Sequence, residues 1–135
     1  MCIRDSFKHI PNPRTLFDWL SVNEENVDKY IEDPDCGFLF TVNGFRTLFE
    51  LIGRLLDKKN LAKVPADLPL YFVAGEEDPV GDYGKGVKKA ADSLKAAGVK
   101  DITLKLYPGL RHEILNETEK ETVKEGIYDW LAQRL

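Results

Sequence analysis

The chain is short of the residues that make cross-links and metal centres. Its 135 residues include two cysteines, Cys2 and Cys36, and two histidines, His9 and His112. Two cysteines are too few for a disulfide framework, and no pair has zinc-ligand spacing, so a reducing, cytoplasmic setting fits. Cys36, in DPDCGF, reads as a small buried hydrophobe and not as a reactive thiol. No apolar run reaches about 18 residues, so no membrane-spanning segment is expected. Basic residues are also in deficit, with 19 Lys and Arg against 23 Asp and Glu and a net charge of −4. A domain that binds a phosphate backbone carries a basic face, so no nucleic-acid partner is expected.

What remains is the composition of one globular domain, 43% hydrophobic and 31% charged. Its length suffices to bury about two thirds of the unfolded surface. The opening hexapeptide, MCIRDS, resembles the translation of a sequencing-library adapter. Residues 1–6 are therefore expected to be a non-native leader with the reading frame continuing upstream, and the lack of an export signal carries no weight.

FKHIPNPR, with two prolines, reads as loop, and His9 within it as solvated. Ser21 and Glu24 have capping-box spacing and predict an acidic helix through about Ile31, ended by Pro34. Its carboxylates, Glu24 to Asp33, read as a solvated face rather than a metal site. From Asn43 to about Asp57, Phe45, Leu48, Phe49, Ile52, Leu55 and Leu56 recur at helical spacing. Core packing is the commoner meaning of such a stripe, though it could line an acyl pocket.

KKNLAKVPADLP reads as a linker. LPLYFVAG is apolar on both faces, as in a strand of a parallel sheet. A helix from about Tyr83 to Ala97 follows, with Val87, Ala90, Ala91 and Leu94 inward and Gly98 as its stop. DITLKLY then alternates, suiting a strand near the sheet edge. Thr118 and Glu121 suggest another capping box, starting a helix with Val123, Ile127, Trp130 and Leu131 on one face. The second half is therefore an α/β unit, β-α-β-α, with parallel strands. A sheet of only two readable strands leaves faces and edges open, so the fold looks partial.

GDYGKG, between a strand and a helix, invites a phosphate-binding reading. Its glycine spacing is wrong, and its lysine precedes Gly86 where a P-loop requires Ser or Thr. Asn116-Glu117-Thr118 fits a glycosylation sequon, but Thr118 is already assigned as a helix cap. GEEDPVG and GLRHEIL are the stronger pair. In open α/β sheets, functional side chains sit just beyond the carboxyl ends of strands. Asp78 and His112 both do, and a carboxylate there can hold an imidazole in one tautomer. On spacing alone a second reading stands equal, in which Asp78 caps its turn and His112 is an exposed loop residue.

FDWLS, VDKYIEDPDCGF, FVAGEEDPVG and LKLYPGLRHEILNE resemble, in that order, the C-terminal half of an α/β-hydrolase. The closest likeness is to the lysophospholipase, monoacylglycerol lipase and serine aminopeptidase-like group. The resemblance implies that Asp78 is the triad acid and His112 the general base, with no metal or cofactor. With the expected leader at residues 1–6 set aside, the chain divides into 7–60 as a lid remnant and the helix after it, and 61–135 as C-terminal hydrolase core. Phe45 and Phe49 of the lid become candidate substrate contacts. The departure from the group's pattern is that Ser6, Ser21 and Ser93 all lie outside G-x-S-x-G, so no nucleophile elbow is present.

Two functions follow as expectations. One is part of a serine hydrolase of carboxylic esters, acting on a small apolar ester or lipid and completed by the missing N-terminal half of its own fold. The other is a short non-catalytic α/β protein that binds a partner through its apolar lid helix or open sheet edge.

Overall fold

The run that is apolar on both faces forms strand β1 (Leu70–Gly75), and the alternating run forms β2 (Ile102–Tyr107). The computed structural model describes residues 10–55 and 57–135. The leader at 1–6 with Cys2 and Ser6, together with His9 and Leu56, lies outside the described residues. In chain order the elements are α1 (Glu24–Glu32), α2 (Val42–Leu55), α3 (Lys58–Leu61), β1, α4 (Lys85–Ala96), β2 and α5 (Lys120–Ala132). The second half is the β-α-β-α unit that the hydrophobic pattern predicts.

β1 and β2 pair in parallel, from Leu70 opposite Ile102 to Gly75 opposite Tyr107. Parallel neighbours need a crossover, and α4 supplies it. Alternation along each strand then sorts the side chains between two faces. Phe72 and Leu104 face α4, where Ala91 is buried. Tyr71 and Thr103 face α5, where the Trp130 ring stacks on Tyr71 at 5.0 Å and its Nε1 donates to Thr103 Oγ1 at 2.9 Å. Tyr107, Leu110, Ile114 and Val123 form a buried cluster, with Val73 and Ile127 packed against it. Gly126 lets α5 close on β2, because a Cβ there would lie 2.6 Å from the Tyr107 hydroxyl. At the end of α5, Arg134 donates to both carboxylate oxygens of Asp101 at 3.0 Å and lies over the Trp130 ring.

Several expectations are corrected. The Ser21 capping box does not form. Asn23 caps α1, its side chain accepting from the Glu25 amide, while the Ser21 hydroxyl donates to Glu117, 96 residues away. Thr118 caps nothing either, since α5 begins after Glu119 without a side-chain cap bond. The linker holds the short α3, because Asp57 accepts from the Lys59 amide. α4 begins at Lys85 and not Tyr83, because Asp82, Tyr83 and Gly84 are left-handed, with φ of 51°, 54° and 79°. Of its four inward residues Ala91 is buried, Val87 and Leu94 are half-buried, and Ala90 is exposed. On α5, Val123 is buried while Leu131 is exposed.

The largest departure is α2. Its apolar stripe is not core: no residue of the helix is buried, and Phe49 is 62% exposed. Between α2, α3, β1 and α4 lies an apolar cleft of about 590 Å³, lined by Ile52, Leu55, Leu61, Phe72 and Leu94 among others. Among the described residues, β1 and β2 are each other's only strand neighbours. No helix among them is long and apolar enough to cross a membrane.

Candidate active site

Both candidate site residues sit on turns that leave the carboxyl ends of the strands. After Gly75 the chain turns sharply, and the Asp78 amide donates back to the Gly75 carbonyl at 3.3 Å. Asp78 Oδ1 accepts the Val80 amide at 2.8 Å, which fixes the carboxylate on its own turn. Oδ2 is left to face His112. Asp78 is 6% exposed, and Gly81 leaves it room, since a Cβ there would stand 3.2 Å from Oδ2.

The amides that would cradle a phosphate in GDYGKG are already engaged. Tyr83 N donates to the Asp78 carbonyl and Gly86 N to the Gly81 carbonyl, both at 2.9 Å. This left-handed turn therefore serves to hold Asp78 and to start α4.

After Tyr107, Pro108 and a left-handed Gly109 (φ 75°) turn the chain back across the end of β1. There the Leu110 carbonyl accepts the Glu77 amide at 2.9 Å. Gly75 makes this crossing possible, because a Cβ on it would overlap the carbonyl oxygens of Leu110 and Arg111. His112 arrives with Nδ1 at 3.1 Å from Asp78 Oδ2. The hydrogen bond that Asp78 accepts raises the His112 pKa above its ordinary value; burial opposes this, and the charges of Asp78 and Glu113 add to it. Trp19 packs beside the imidazole, ring centroids 5.3 Å apart and tilted by 48°. The His112 side chain keeps 38% of its surface exposed.

The structure thus brings Asp78 and His112 together. Asp78 also caps its turn, as the alternative reading of the spacing expects, while its other oxygen meets His112. Phe45 and Phe49 stand apart: their ring contacts are Phe40 and each other. Among the described residues no hydroxyl bonds to His112. The Ser21 hydroxyl is directed at Glu117 and that of Ser93 at the Lys89 carbonyl. Cys36 is half-buried, and its thiol is pushed up by burial and then by Asp33 and Asp35, the opposite of an activated thiolate.

Sequence reasoning missed the groups that seat the histidine loop. Trp19 lies inside the quoted FDWLS, but nothing local marks it as a neighbour of residue 112. Glu117 is fully buried at 0% exposure, although it is the middle residue of an apparent sequon.

Against this geometry, the family described as "Serine aminopeptidase, S33" matches residues 4–119, and the chain belongs to that family. It is 34% identical over 70 residues to a monoacylglycerol lipase of Mycolicibacterium smegmatis, covering 50% of this chain and 22% of that protein. It is 39% identical over 77 residues to a monoglyceride lipase of Saccharomyces cerevisiae, covering 55% of this chain and again 22% of the relative. Among solved structures, a thermostable carboxyl esterase from Bacillus coagulans superposes with a TM-score of 0.81 at 32% identity, over 94% of this chain and 42% of that one. A lipase in its open form gives 0.82 at 27% identity, over 98% and 43%. The architecture is therefore part of an α/β-hydrolase fold, and the chain spans less than half the length of the solved proteins it matches.

Proposed function

We propose that the chain contributes the acid–base half of a serine hydrolase that cleaves carboxylic esters of the monoacylglycerol, lysophospholipid or similar acyl-lipid type. The observation that carries this is the 3.1 Å approach of Asp78 Oδ2 to His112 Nδ1 beyond the ends of two neighbouring parallel strands. In this reading Asp78 holds His112 with its proton on Nδ1 and stabilises the imidazolium. Nε2 takes the serine proton during attack on the ester and returns it to the leaving alcohol. Residues 61–135 are the hydrolase core, and residues 7–60 are the lid segment with the helix after it. Phe45 and Phe49 offer an apolar face to the acyl chain once that helix is covered.

The serine and the oxyanion hole are assigned to the amino-terminal half of the same fold, docked against β1 and the apolar face of α2. Without them the Asp–His pair cannot form an acyl-enzyme, so this chain alone is expected to be inactive. The family's name points to peptides, whereas the named relatives are lipases and an esterase, which favours the ester.

The test is a chimera carrying the amino-terminal part of the Bacillus coagulans esterase ahead of residues 10–135, assayed on short p-nitrophenyl esters. Hydrolysis is expected, with Asp78→Asn lowering kcat by about 10⁴-fold. Full activity in a folded His112→Ala or Asp78→Asn variant overturns the reading.

The exposure of α2 favours a second reading, a non-catalytic module whose partner covers that helix. A cooperative melt and monodisperse behaviour of the chain by itself, with an inactive chimera, select that reading.

A further inference from the structure

His112 sits on a stretch that is neither helix nor strand, and among the described residues its ring has one hydrogen bond, to Asp78. Its orientation therefore depends on how the residues beside it are held. On one side, the Arg111 amide donates to Glu117 Oε1 at 2.8 Å. On the other, the Glu113 amide donates to the Leu20 carbonyl at 2.8 Å. The second oxygen of Glu117 faces the turn before α1: Oε2 accepts the Ser21 hydroxyl at 2.5 Å, the Val22 amide at 2.9 Å and the Asn23 amide at 3.3 Å. The Arg111 guanidinium reaches the same turn, donating to the carbonyls of Asp18 and Ser21. Asn26 Nδ2 donates to Glu113 Oε2 at 2.6 Å.

We propose that Glu117 is a positioning residue for His112: its buried carboxylate fastens the histidine loop to the Ser21–Asn23 turn, and so fixes the imidazole between Asp78 and Trp19. The inference rests on the reading of His112 as the general base. Only a carboxylate meets the geometry, because all four partners are donors and both of its oxygens accept. A glutamine of the same shape would turn an NH2 toward either the Arg111 amide or the turn before α1, setting donor against donor. Apart from the Arg111 amide bond, which lies within the histidine loop, these bonds join residues 18–26 to 111–117, the two segments that also carry Trp19 and His112. Loss of the clasp leaves the loop tied by Glu113, Asn26 and the Arg111 side chain but removes the bond at the Arg111 amide, next to His112, so the imidazole is held less firmly.

The test reads the imidazole and needs no catalysis. With two histidines in the chain, His9→Gln leaves one imidazole to follow by nitrogen–proton NMR. In that background Glu117→Gln is expected to lower the His112 pKa toward its ordinary value and to abolish the slowly exchanging Nδ1 proton signal. A folded Glu117→Gln variant with both readouts unchanged overturns the proposal. So does a variant that loses stability while the imidazole signals stay put, since that assigns Glu117 to the fold alone. If Glu117→Gln does not fold, Ser21→Ala decides, because it removes one donor and leaves the Arg111 bond. Faster exchange of the Nδ1 proton is then expected, and an unchanged rate overturns the proposal. Failure of the hydrolase reading is seen separately, as full ester hydrolysis by the His112→Ala chimera.

Discussion

Asp78 and His112, 34 residues apart, meet at 3.1 Å because each lies on the turn that follows one of two paired strands. The parallel register sets Gly75 opposite Tyr107, so the two turns begin at the same level of the sheet. The pair is thus a product of strand register. Replacing Asp78 with Asn keeps the shape and removes the charge and the accepting carboxylate. The His112 pKa should then fall, because burial is left opposed by the charge of Glu113 alone. An NMR titration of Asp78→Asn checks this.

The same bond sets a pH dependence of stability. The folded pKa of His112 is raised above its ordinary value, so the protonated form favours the folded state. That contribution is fully present below about pH 6.5, the unfolded value, and is lost as pH rises through the folded pKa. Urea midpoints measured from pH 5 to 9 should show this decline, and Asp78→Asn should flatten it. In the esterase chimera the sign is opposite, since a general base must be neutral: kcat/KM should rise with pH through the raised value.

Gly75→Ala tests the crossing of the histidine loop over β1. A methyl group would overlap backbone atoms of Leu110 and Arg111, which cannot rotate away as a side chain would. A loss of about 2 kcal/mol or more is expected in denaturant melts, by the usual cost of overpacking. The Asp78–His112 signals should change as well, since the loop must lift to admit the methyl.

The contrast between the two apolar surfaces gives a further prediction. Leu110 is 4% exposed and belongs to the cluster under α5, so Leu110→Ala should destabilise the chain by about 2–5 kcal/mol. Phe49→Ser, on the open face of α2, should change stability by no more than about 0.5 kcal/mol. It should also reduce binding of a hydrophobic dye. Parallel denaturant melts and dye titrations of the two variants measure both effects.

The strands, and the placement of Asp78 and His112 just past their ends, were legible because those signals are local, while the acid–base roles came from the resemblance and not from spacing. LYFVAG and ITLKLY announce themselves by pattern, and Asp78 and His112 by their distance past the strand ends. The clasp was not legible, because Ser-x-x-Glu spacing does not reveal whether the serine serves its own helix or a distant carboxylate. The spacing assigns Ser21 to its own helix, whereas its hydroxyl serves the distant Glu117. Glu117 had no local signal at all, its partners being Ser21, Val22, Asn23 and the amide of Arg111. The stripe on α2 was read correctly as helical, Phe45 to Leu55, but periodicity gives only the direction of the apolar face. Whether another surface lies against it is a tertiary matter.

The bond from Ser21 to Glu117 joins residues 96 apart in a chain of 135. In a growing polypeptide Ser21 is made well before Glu117, so this bond has to wait for the later segment. The seat of the imidazole therefore cannot be complete until translation has passed the second strand and reached Glu117.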